Sequence, residues 1–395
     1  MKITTIRATP VNIPLEAPYL WSYGSLDGFS KTIVEIETSD GIVGLGEGPS
    51  PANVATIEKT FAPRLIGRDP IDIQGAEELC LPHWRGVGTI DIDLATIRAF
   101  GAIEMALWDI RGKAWNQPLY ALLGGAHRKA IPFTDYFGFR EAKGNVGGES
   151  TPEAVADYCQ GLAETHGTTM FEGKVSTADP APSIRMLELF RERLGSAAVL
   201  RIDSNKAYSV TEAIRIARAI EPLDIRCWED PVACFEDMVK LRAHTGIRFS
   251  VHTPDIRRAA ALGVPDAFCT DVNVHGGIGR TVRFIGACEA MGIDYWCYSG
   301  DSGIASAAYL HLAAAHTHIR EPSQSLFRMQ PLDVIEEGPF RPRANMVAVP
   351  EGPGLGVTLS RDKLAHCHRL FRDHGPHDKF RDPDRPGVFR RLPMR

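Results

Sequence analysis

The chain has 395 residues, 44% of them hydrophobic and 24% charged, and a formal net charge of -5 at pH 7. This length predicts a large buried core in two domains, and the charge gives no basic surface for nucleic acid. Eight cysteines without a CxxC pair, no signal-peptide pattern and no membrane-length apolar stretch predict a cytoplasmic protein with no membrane partner.

The first 50 residues alternate polar and apolar side chains as antiparallel strands do. We predict one strand over Ile3–Ile13 and a hairpin over residues 32–48. The segment Ala17–Ser30 between them is rich in Gly, Ser and aromatic residues, which predicts a loop. Trp21 and Tyr23 in this loop are candidates to cover a pocket and bind a substrate, and local packing is the alternative.

Helical periodicity follows, and the pattern changes at Gly125. The predicted helices are Asn53–Leu65, Ile71–Glu78 and Ile90–Trp115. Beyond Gly125, helices alternate with eight predicted strands: Ala130–Tyr136, Thr169–Val175, Val199–Asp203, Ile225–Glu229, Arg248–His252, Ala267–Val274, Asp294–Tyr298 and Ser325–Arg328. This alternation predicts an α/β fold of the (β/α)₈ barrel type. A doubly wound sheet is disfavoured because no GxGxxG follows the first of these strands.

The stretch from Val199 to Pro231 reads as strand, helix, strand, a βαβ unit with parallel strands. Asp203 and Glu229 therefore occupy equivalent positions at the carboxyl ends of their strands, the edge where such folds place their chemistry. Two converging carboxylates repel each other unless a cation lies between them, and oxygen ligands suit Mg²⁺ or Mn²⁺. The alternative is two solvated acids at strand ends.

Four segments stand out: EMALWDIRGKAWNQPLYALLGG, RIDSN, WEDP and PEGPGLGV. Together they resemble the enolase superfamily, in its mandelate racemase-like branch, which includes the acid-sugar dehydratases. The resemblance implies an α+β capping domain (1–125), a modified (β/α)₈ TIM barrel (126–364) and a C-terminal extension (365–395). It also implies a divalent cation and removal of the proton α to a substrate carboxylate. The charged tail from Arg372 is expected to be extended on the surface or disordered.

The resemblance assigns Asp203 and Glu229 as the first two metal ligands. At the position of the third ligand, where the family usually has Glu, Asp or Asn, this chain has His252. Mg²⁺ is the first expectation, but an imidazole shifts preference towards Mn²⁺ or another transition metal. The alternative for His252 is a hydrogen-bonded histidine near the barrel top. Asn205, two residues after Asp203, is a candidate to bind substrate.

On the second barrel strand the family often has Lys-x-Lys, with the second lysine as a base. Here Lys174 matches that base, and Glu172 replaces the other lysine. Residues two apart on a strand share a face, so both are expected to reach the site, with Glu172 binding substrate. A Glu172–Lys174 ion pair is the alternative.

The opposite base in this branch is often a His–Asp dyad on strands six and seven. Asp271 matches the aspartate, but Tyr298 occupies the histidine position. A tyrosine has an unperturbed pKa of ~10, so it is an acid or donor at neutral pH. His275 is expected to share a strand face with Asp271 and to bind substrate, or else to serve in packing or a turn. The family often has an acidic electrophile on the eighth barrel strand. That group is missing here, and Gln324 lies near its position.

These features predict a metal-dependent lyase that dehydrates a small hydroxy-acid, most simply an acid sugar, to a 2-keto-3-deoxy acid. Lys174 would take the α-proton, and Tyr298 or a metal-bound water would help hydroxide to leave. An epimerase or cycloisomerase, or a metal-binding homologue without turnover, are the alternatives. Assembly into a homo-oligomer is a further expectation.

Overall fold

The computed structural model describes residues 1–81, 94–298, 300–377, 382, 385 and 387–393. Among these residues, no helix combines the length and the apolar character that a membrane span needs. The eight cysteines are free thiols, and seven of them are buried.

The chain begins with a three-stranded antiparallel sheet in the order β1-β2-β3. Its strands are β1 (Ile3–Trp21), β2 (Gly24–Thr38) and β3 (Val43–Gly48). The predicted loop Ala17–Ser30 is wrong, because β1 and β2 continue through it as a hairpin. Tyr19 pairs with Leu26 and Trp21 with Gly24, after a register shift that follows Pro14. The hairpin tip is therefore a defined structure rather than an irregular loop.

Helices of this first domain pack on the sheet. They are α1 (Asn53–Thr56), a π-helical turn (Ile57–Phe61), α2 (Ala62–Leu65), α3 (Ile73–Cys80), α4 (Leu94–Ala114) and α5 (Leu119–Leu122). The part of the predicted helix Ile90–Trp115 that precedes residue 94 lies outside the described residues. Close packing of β3 on α4 needs Gly46, because a Cβ there would lie 2.0 Å from the Ala102 carbonyl oxygen.

The second domain is a barrel of eight parallel strands in the order β10-β9-β8-β7-β6-β5-β4-β11. The strands at the two ends of this order, β10 and β11, contact each other, so the barrel is nearly closed. The eight strands are β4 (Ala130–Phe137), β5 (Met170–Lys174), β6 (Val199–Asp203), β7 (Cys227–Glu229), β8 (Phe249–Val251), β9 (Ala267–Thr270), β10 (Asp294–Cys297) and β11 (Ser323–Gln324). The predicted capped (β/α)₈ barrel is confirmed.

Helices surround the barrel, and a short strand returns to it. The helices are α6 (Pro152–His166), α7 (Ala181–Leu194), α8 (Val210–Ile220), α9 (Phe235–Arg242), α10 (Ile256–Leu262), α11 (Val272–His275), α12 (Ile278–Met291), α13 (Gly303–Ala315) and α14 (Arg361–His374). Two single 3₁₀ turns are also present among the described residues, Glu221–Leu223 and Phe327–Met329. Strand β12 (Met346–Ala348) pairs antiparallel with β4.

Several elements differ from their predicted bounds. The sixth barrel strand ends at Thr270 rather than at Val274, because Asp271 caps α11 by accepting from the Val274 backbone N–H at 2.9 Å. The eighth strand is Ser323–Gln324, and the 3₁₀ turn Phe327–Met329 covers the second half of the predicted Ser325–Arg328. The tail, expected to be extended or disordered from Arg372, remains helical through His374.

Assembly into a homo-oligomer stays a prediction.

Apolar side chains form three buried clusters, one in the barrel, one in the first domain and a small third one between them. The third cluster joins the β1–β2 hairpin to the barrel mouth. Its buried members are Leu15, Tyr19, Leu26, Phe29, Tyr136, Leu326 and Met329. The hairpin is therefore packed directly over the carboxyl ends of the barrel strands.

Candidate active site and metal centre

Strand register places three candidate residues in one row at the barrel mouth. Lys174 lies opposite Asp203 across β5 and β6, and Asp203 lies opposite Glu229 across β6 and β7. All three are the last residues of their strands. The βαβ unit predicted for residues 199–231 is therefore present, with Asp203 and Glu229 side by side at the carboxyl ends of its two parallel strands.

One oxygen or nitrogen atom from each of Asp203, Glu229 and His252 lies within 4.8 Å of the corresponding atoms of the other two. Both carboxylates are 1% exposed. The next residue, Asp230, is 4% exposed and its Oδ1 has no hydrogen-bond partner among the described residues. Three buried acids at one point are costly without positive charge, and two carboxylates with one imidazole are suitable ligands for a divalent ion. The donor set therefore fits such an ion.

The orientation of His252 is set by a backbone carbonyl. Its Nδ1 lies 2.6 Å from the oxygen of Cys269, which can only accept, so Nδ1 carries the proton and Nε2 faces the site. Nε2 lies 2.6 Å from Glu229 Oε1. Burial lowers the pKa of His252, but Glu229 and the other acids outweigh this and raise it to about 10. Burial and the charge of Asp203 raise the pKa of Glu229 to about 8.

Replacing His252 by alanine is expected to remove most of the divalent metal from the purified protein, because it deletes one of three ligand side chains. Metal content per chain, measured by elemental analysis after dialysis, tests this. The control is His127→Ala, which changes an exposed histidine. Wild-type metal content in the His252 variant would show that the third ligand is assigned wrongly.

Lys174 is buried beside the acids and forms an ion pair with Asp203 Oδ2. Its ammonium lies 5.9 Å from the ring centre of Trp21 and 5.6 Å from that of Tyr136. Burial lowers the pKa of Lys174, but Asp203 and the neighbouring groups outweigh it, and the net shift is upward. Asn205 donates to the same carboxylate from its backbone N–H at 2.7 Å and from its side chain at 2.9 Å.

Glu172 does not line the pocket as expected. It is fully buried one layer below Lys174, where its Oε2 lies 2.5 Å from the guanidinium of Arg201 and its Oε1 accepts from Gln324 at 2.6 Å. Gln324 also donates to Glu229. The Glu172–Lys174 ion pair is absent, because each residue pairs with a different partner on β6. Glu172 thus supports the site from beneath, and the expectation that it binds substrate is wrong.

Tyr298 and Asp271 are brought together, as expected for the matching dyad positions. The Tyr298 hydroxyl donates to Asp271 Oδ2 at 3.3 Å. The Tyr298 ring packs edge-on against His252 with centroids 4.8 Å apart, and it lines the pocket. Burial, followed by the charge of Asp271, raises the pKa of Tyr298 well above its usual value. The phenol therefore stays protonated at neutral pH and can only donate.

His275 lies away from this constellation. It belongs to α11 rather than to a strand, so it shares no strand face with Asp271. Its Nε2 lies 2.8 Å from the Thr270 hydroxyl, and its ring packs on Phe284 with centroids 4.4 Å apart. Burial lowers its pKa to about 4. The expected substrate-binding role for His275 is wrong, and packing explains the residue.

A cavity of about 300 Å³ lies between the hairpin and the barrel mouth. Lys174, Asp203, Asn205, His252 and Tyr298 line it, together with Trp21 and Tyr23 of the hairpin. The cavity also has lining residues that no sequence motif indicated: Tyr19, Leu26, Phe29, Tyr136, Lys206, Asp230, Gly300 and Leu326. Two of these residues could have been predicted from their positions in the sequence. Asp230 directly follows Glu229, and Tyr136 is the last residue of a predicted barrel strand, so both are expected at the barrel mouth.

Comparison with known proteins agrees with this architecture. Residues 3–124 match the family model "Mandelate racemase / muconate lactonizing enzyme, N-terminal domain", and residues 154–363 match "Enolase C-terminal domain-like". These two regions cover most of the chain. The protein therefore belongs to the enolase superfamily, in its mandelate racemase-like branch.

Individual relatives differ in reaction. The chain is 28% identical to a probable glucarate dehydratase of Streptomyces coelicolor, over 94% of this chain and 92% of the relative. It is equally 28% identical to an N-succinyl-L-Arg/Lys racemase of Bacillus cereus, over 94% of this chain and 99% of the relative. A solved enolase from Thermobispora bispora, complexed with magnesium and formate, is 26% identical with a TM-score of 0.87, covering 96% of each chain. Enzymatic chemistry of the superfamily follows, and the particular reaction does not.

Proposed function

We propose that the protein is a metal-dependent hydro-lyase that converts a 2,3-dihydroxy carboxylate, as in an acid sugar, to its 2-keto-3-deoxy acid. The observation that carries the proposal is that Lys174, Asp203, His252 and Tyr298 border one cavity, with Glu229 grouped beside the two ligands. A divalent ion at Asp203, Glu229 and His252, with Mg²⁺ as the first candidate, would supply Lewis-acid stabilisation of negative charge on the substrate carboxylate.

Lys174 is the proposed base. Burial lowers the pKa of its amine and Asp203 raises it, so a divalent ion bound by the acids would offset the negative charge that keeps the amine protonated. Lys174 lies at the end of a strand, next to the acids that would hold the ion, so a substrate carboxylate bound to that ion would lie close to its amine. The rings of Trp21 and Tyr136 flank the ammonium and restrict the positions it can adopt. A base fixed in this way removes an α-proton from one face of the substrate only.

Tyr298 is the proposed proton donor, and Asp271 holds its hydroxyl. Elimination needs one base and one acid, because the β-hydroxyl leaves as water once it is protonated. The pair fits that task, since the phenol remains protonated beside Asp271. Trp21, Tyr23 and Asn205 remain proposed substrate contacts.

Epimerisation is the second candidate, because a racemase is as similar to this chain as a dehydratase is. Inverting a carbon needs a group on each face that both accepts and donates a proton, which a histidine does near neutral pH. The second position here is a tyrosine, and this favours one-way elimination.

A turnover screen of acid sugars and other 2,3-dihydroxy acids with the magnesium-loaded protein tests the reaction class. We expect a 2-keto acid to accumulate, detected as its semicarbazone. Clean interconversion of two α-epimers without keto acid would overturn the dehydratase proposal in favour of the epimerase. No turnover of any kind across the panel would support a non-catalytic homologue.

Replacing Tyr298 by phenylalanine is expected to lower kcat more than it raises KM. The ring that packs on His252 is kept, and only the donating hydroxyl is lost, so the effect should fall on proton transfer. General acid catalysis typically contributes about 10²- to 10⁴-fold. Steady-state kinetics on the substrate found in the screen provides the measurement, and an unchanged kcat would remove Tyr298 from the mechanism.

A further inference from the structure

The cavity has two chemically different sides. Its charged and amide side chains come from the ends of the barrel strands and the segments after them: Lys174, Asp203, Asn205, Lys206, Asp230, His252 and Gln324. The opposite wall consists of Trp21, Leu26 and Phe29 from the hairpin, with Leu326 from the barrel. Two further hairpin residues, Tyr19 and Tyr23, border the charged side, since the charge of Asp203 acts on both of their hydroxyls. No residue of this wall carries a formal charge. A substrate held at the ion site by its carboxylate would extend its other end along these side chains.

This wall is a packed surface. Leu26 is 2% exposed, Phe29 8% and Leu326 6%, and all three belong to the small cluster between the two domains. Gly300 faces the same cluster, since a Cβ there would lie 2.9 Å from the ring of Phe29. The side chains therefore have little freedom to turn aside and admit water.

The hairpin that carries the wall is also fixed from several directions. On one edge, the Leu20 N–H donates to the Phe139 carbonyl at 2.8 Å. At the tip, the Ser22 hydroxyl donates to the Asn205 carbonyl at 3.1 Å. On the other edge, the backbone N–H of His377, beyond the last helix, donates to the Ser30 hydroxyl at 2.8 Å. A wall fastened on both edges keeps its apolar character when a ligand binds.

We propose that the substrate is apolar beyond its two reacting carbons: a 2,3-dihydroxy carboxylate with an alkyl or aryl chain rather than a fully hydroxylated sugar acid. This rests on the proposed function for the position of the carboxylate. Hydroxyls at carbons 4 to 6 would exchange water for Leu26, Phe29 and Leu326, which offer no hydrogen bonds, and buried unpaired hydroxyls are costly. An alkyl chain gains from the same contacts.

Binding tests the ligand class separately from turnover. Two six-carbon acids that lack a 3-hydroxyl, and so cannot lose it, form a matched pair: 2-hydroxyhexanoate and 2,4,5,6-tetrahydroxyhexanoate. Calorimetric titration of the magnesium-loaded protein is expected to give at least ten-fold tighter binding of 2-hydroxyhexanoate. Equal or tighter binding of the tetrahydroxy acid would overturn the proposal, as would no measurable binding of 2-hydroxyhexanoate.

A variant pair assigns the preference to the wall. Leu26→Asn should weaken binding of 2-hydroxyhexanoate several-fold and leave the tetrahydroxy acid unchanged or tighter, whereas Leu26→Met should retain the wild-type ratio. Thermal unfolding identifies a misfolded variant, and Leu326→Asn then replaces it. A wild-type ratio in the folded asparagine variant would overturn the assignment.

Turnover of a second matched pair, 2,3-dihydroxyhexanoate and gluconate, separates this inference from the proposed function. Faster keto acid formation from the alkyl acid supports both. Tight binding of 2-hydroxyhexanoate without reaction of any stereoisomer of the dihydroxy acid would contradict the proposed function and retain the ligand class. Faster turnover of gluconate would overturn the ligand class and retain the dehydratase.

Discussion

Replacing Lys174 by alanine is expected to lower 2-keto acid formation by about 10²- to 10⁴-fold, the usual contribution of a general base. The reason is the position of Lys174, which ends β5 opposite Asp203. The neighbouring aromatic rings of Trp21 and Tyr136 cannot accept a proton in its place. Metal should remain bound, because all three candidate ligands are kept. Keto acid formation and metal content are measured on the same preparation.

The matched control for this experiment is Lys240→Ala. Lys240 is an exposed lysine on α9 whose ammonium pairs with Asp237 at 2.8 Å, far along the chain from the site. It should behave as wild type in both measurements. Keto acid formation at the wild-type rate by the Lys174 variant would show that another group removes the α-proton.

Replacing Glu172 by glutamine is expected to lower the free energy of unfolding by about 3–5 kcal/mol, the usual effect of breaking a buried ion pair. Glu172 and Arg201 are each 1% exposed in their side chains, and the guanidinium is stacked 4.5 Å from the Trp296 ring centre. Loss of the carboxylate leaves a buried cation without a counter-ion. Urea unfolding measures the change.

Two further variants separate loss of the pair from loss of packing. Arg185→Gln breaks exposed ion pairs with Glu188 and Glu192, which solvent screens, and should leave stability close to that of the wild type. Replacing both Glu172 and Arg201 by methionine should cost less than Glu172→Gln alone, because no uncompensated charge remains. A Glu172→Gln effect as small as that of Arg185→Gln would contradict the structural role.

The positions of the metal-ligand candidates Asp203 and Glu229 were predictable, because they depend only on the order of neighbouring strands and helices along the chain. A βαβ unit makes its strands parallel, and the last residues of parallel strands meet at one edge. Asp203 and Glu229 follow from that alone, and Lys174 is added by the adjacent strand. His252 could be nominated as the third ligand by family position, but the carbonyl of Cys269 that orients it comes from another strand.

Other features depend on contacts that no local pattern encodes. The Ala17–Ser30 hairpin contains Pro, Gly and Ser residues that favour a loop, and it is held in strand form by packing against the barrel mouth. Alternation correctly placed Glu172 and Lys174 on one face. Alternation gave no information on how deep in the barrel each side chain lies. Glu172 is held below the cavity by its ion pair with Arg201. Asp271 is the N-cap residue of α11, but the alternation around it predicts a strand that continues to Val274. His275 is therefore predicted on a strand face, whereas it lies in the helix.

The central claim is that an ion at Asp203, Glu229 and His252 acts with Lys174 to remove the α-proton of a hydroxy-carboxylate. The most direct measurement is keto acid formation from a substrate labelled with deuterium at C2, by chelator-treated protein with and without added Mg²⁺ or Mn²⁺. We predict reaction only when metal is added, with a primary isotope effect, and a rate about 10²- to 10⁴-fold lower with Lys174→Ala. Reaction at the full rate without metal, or unchanged in the Lys174 variant, would contradict the account.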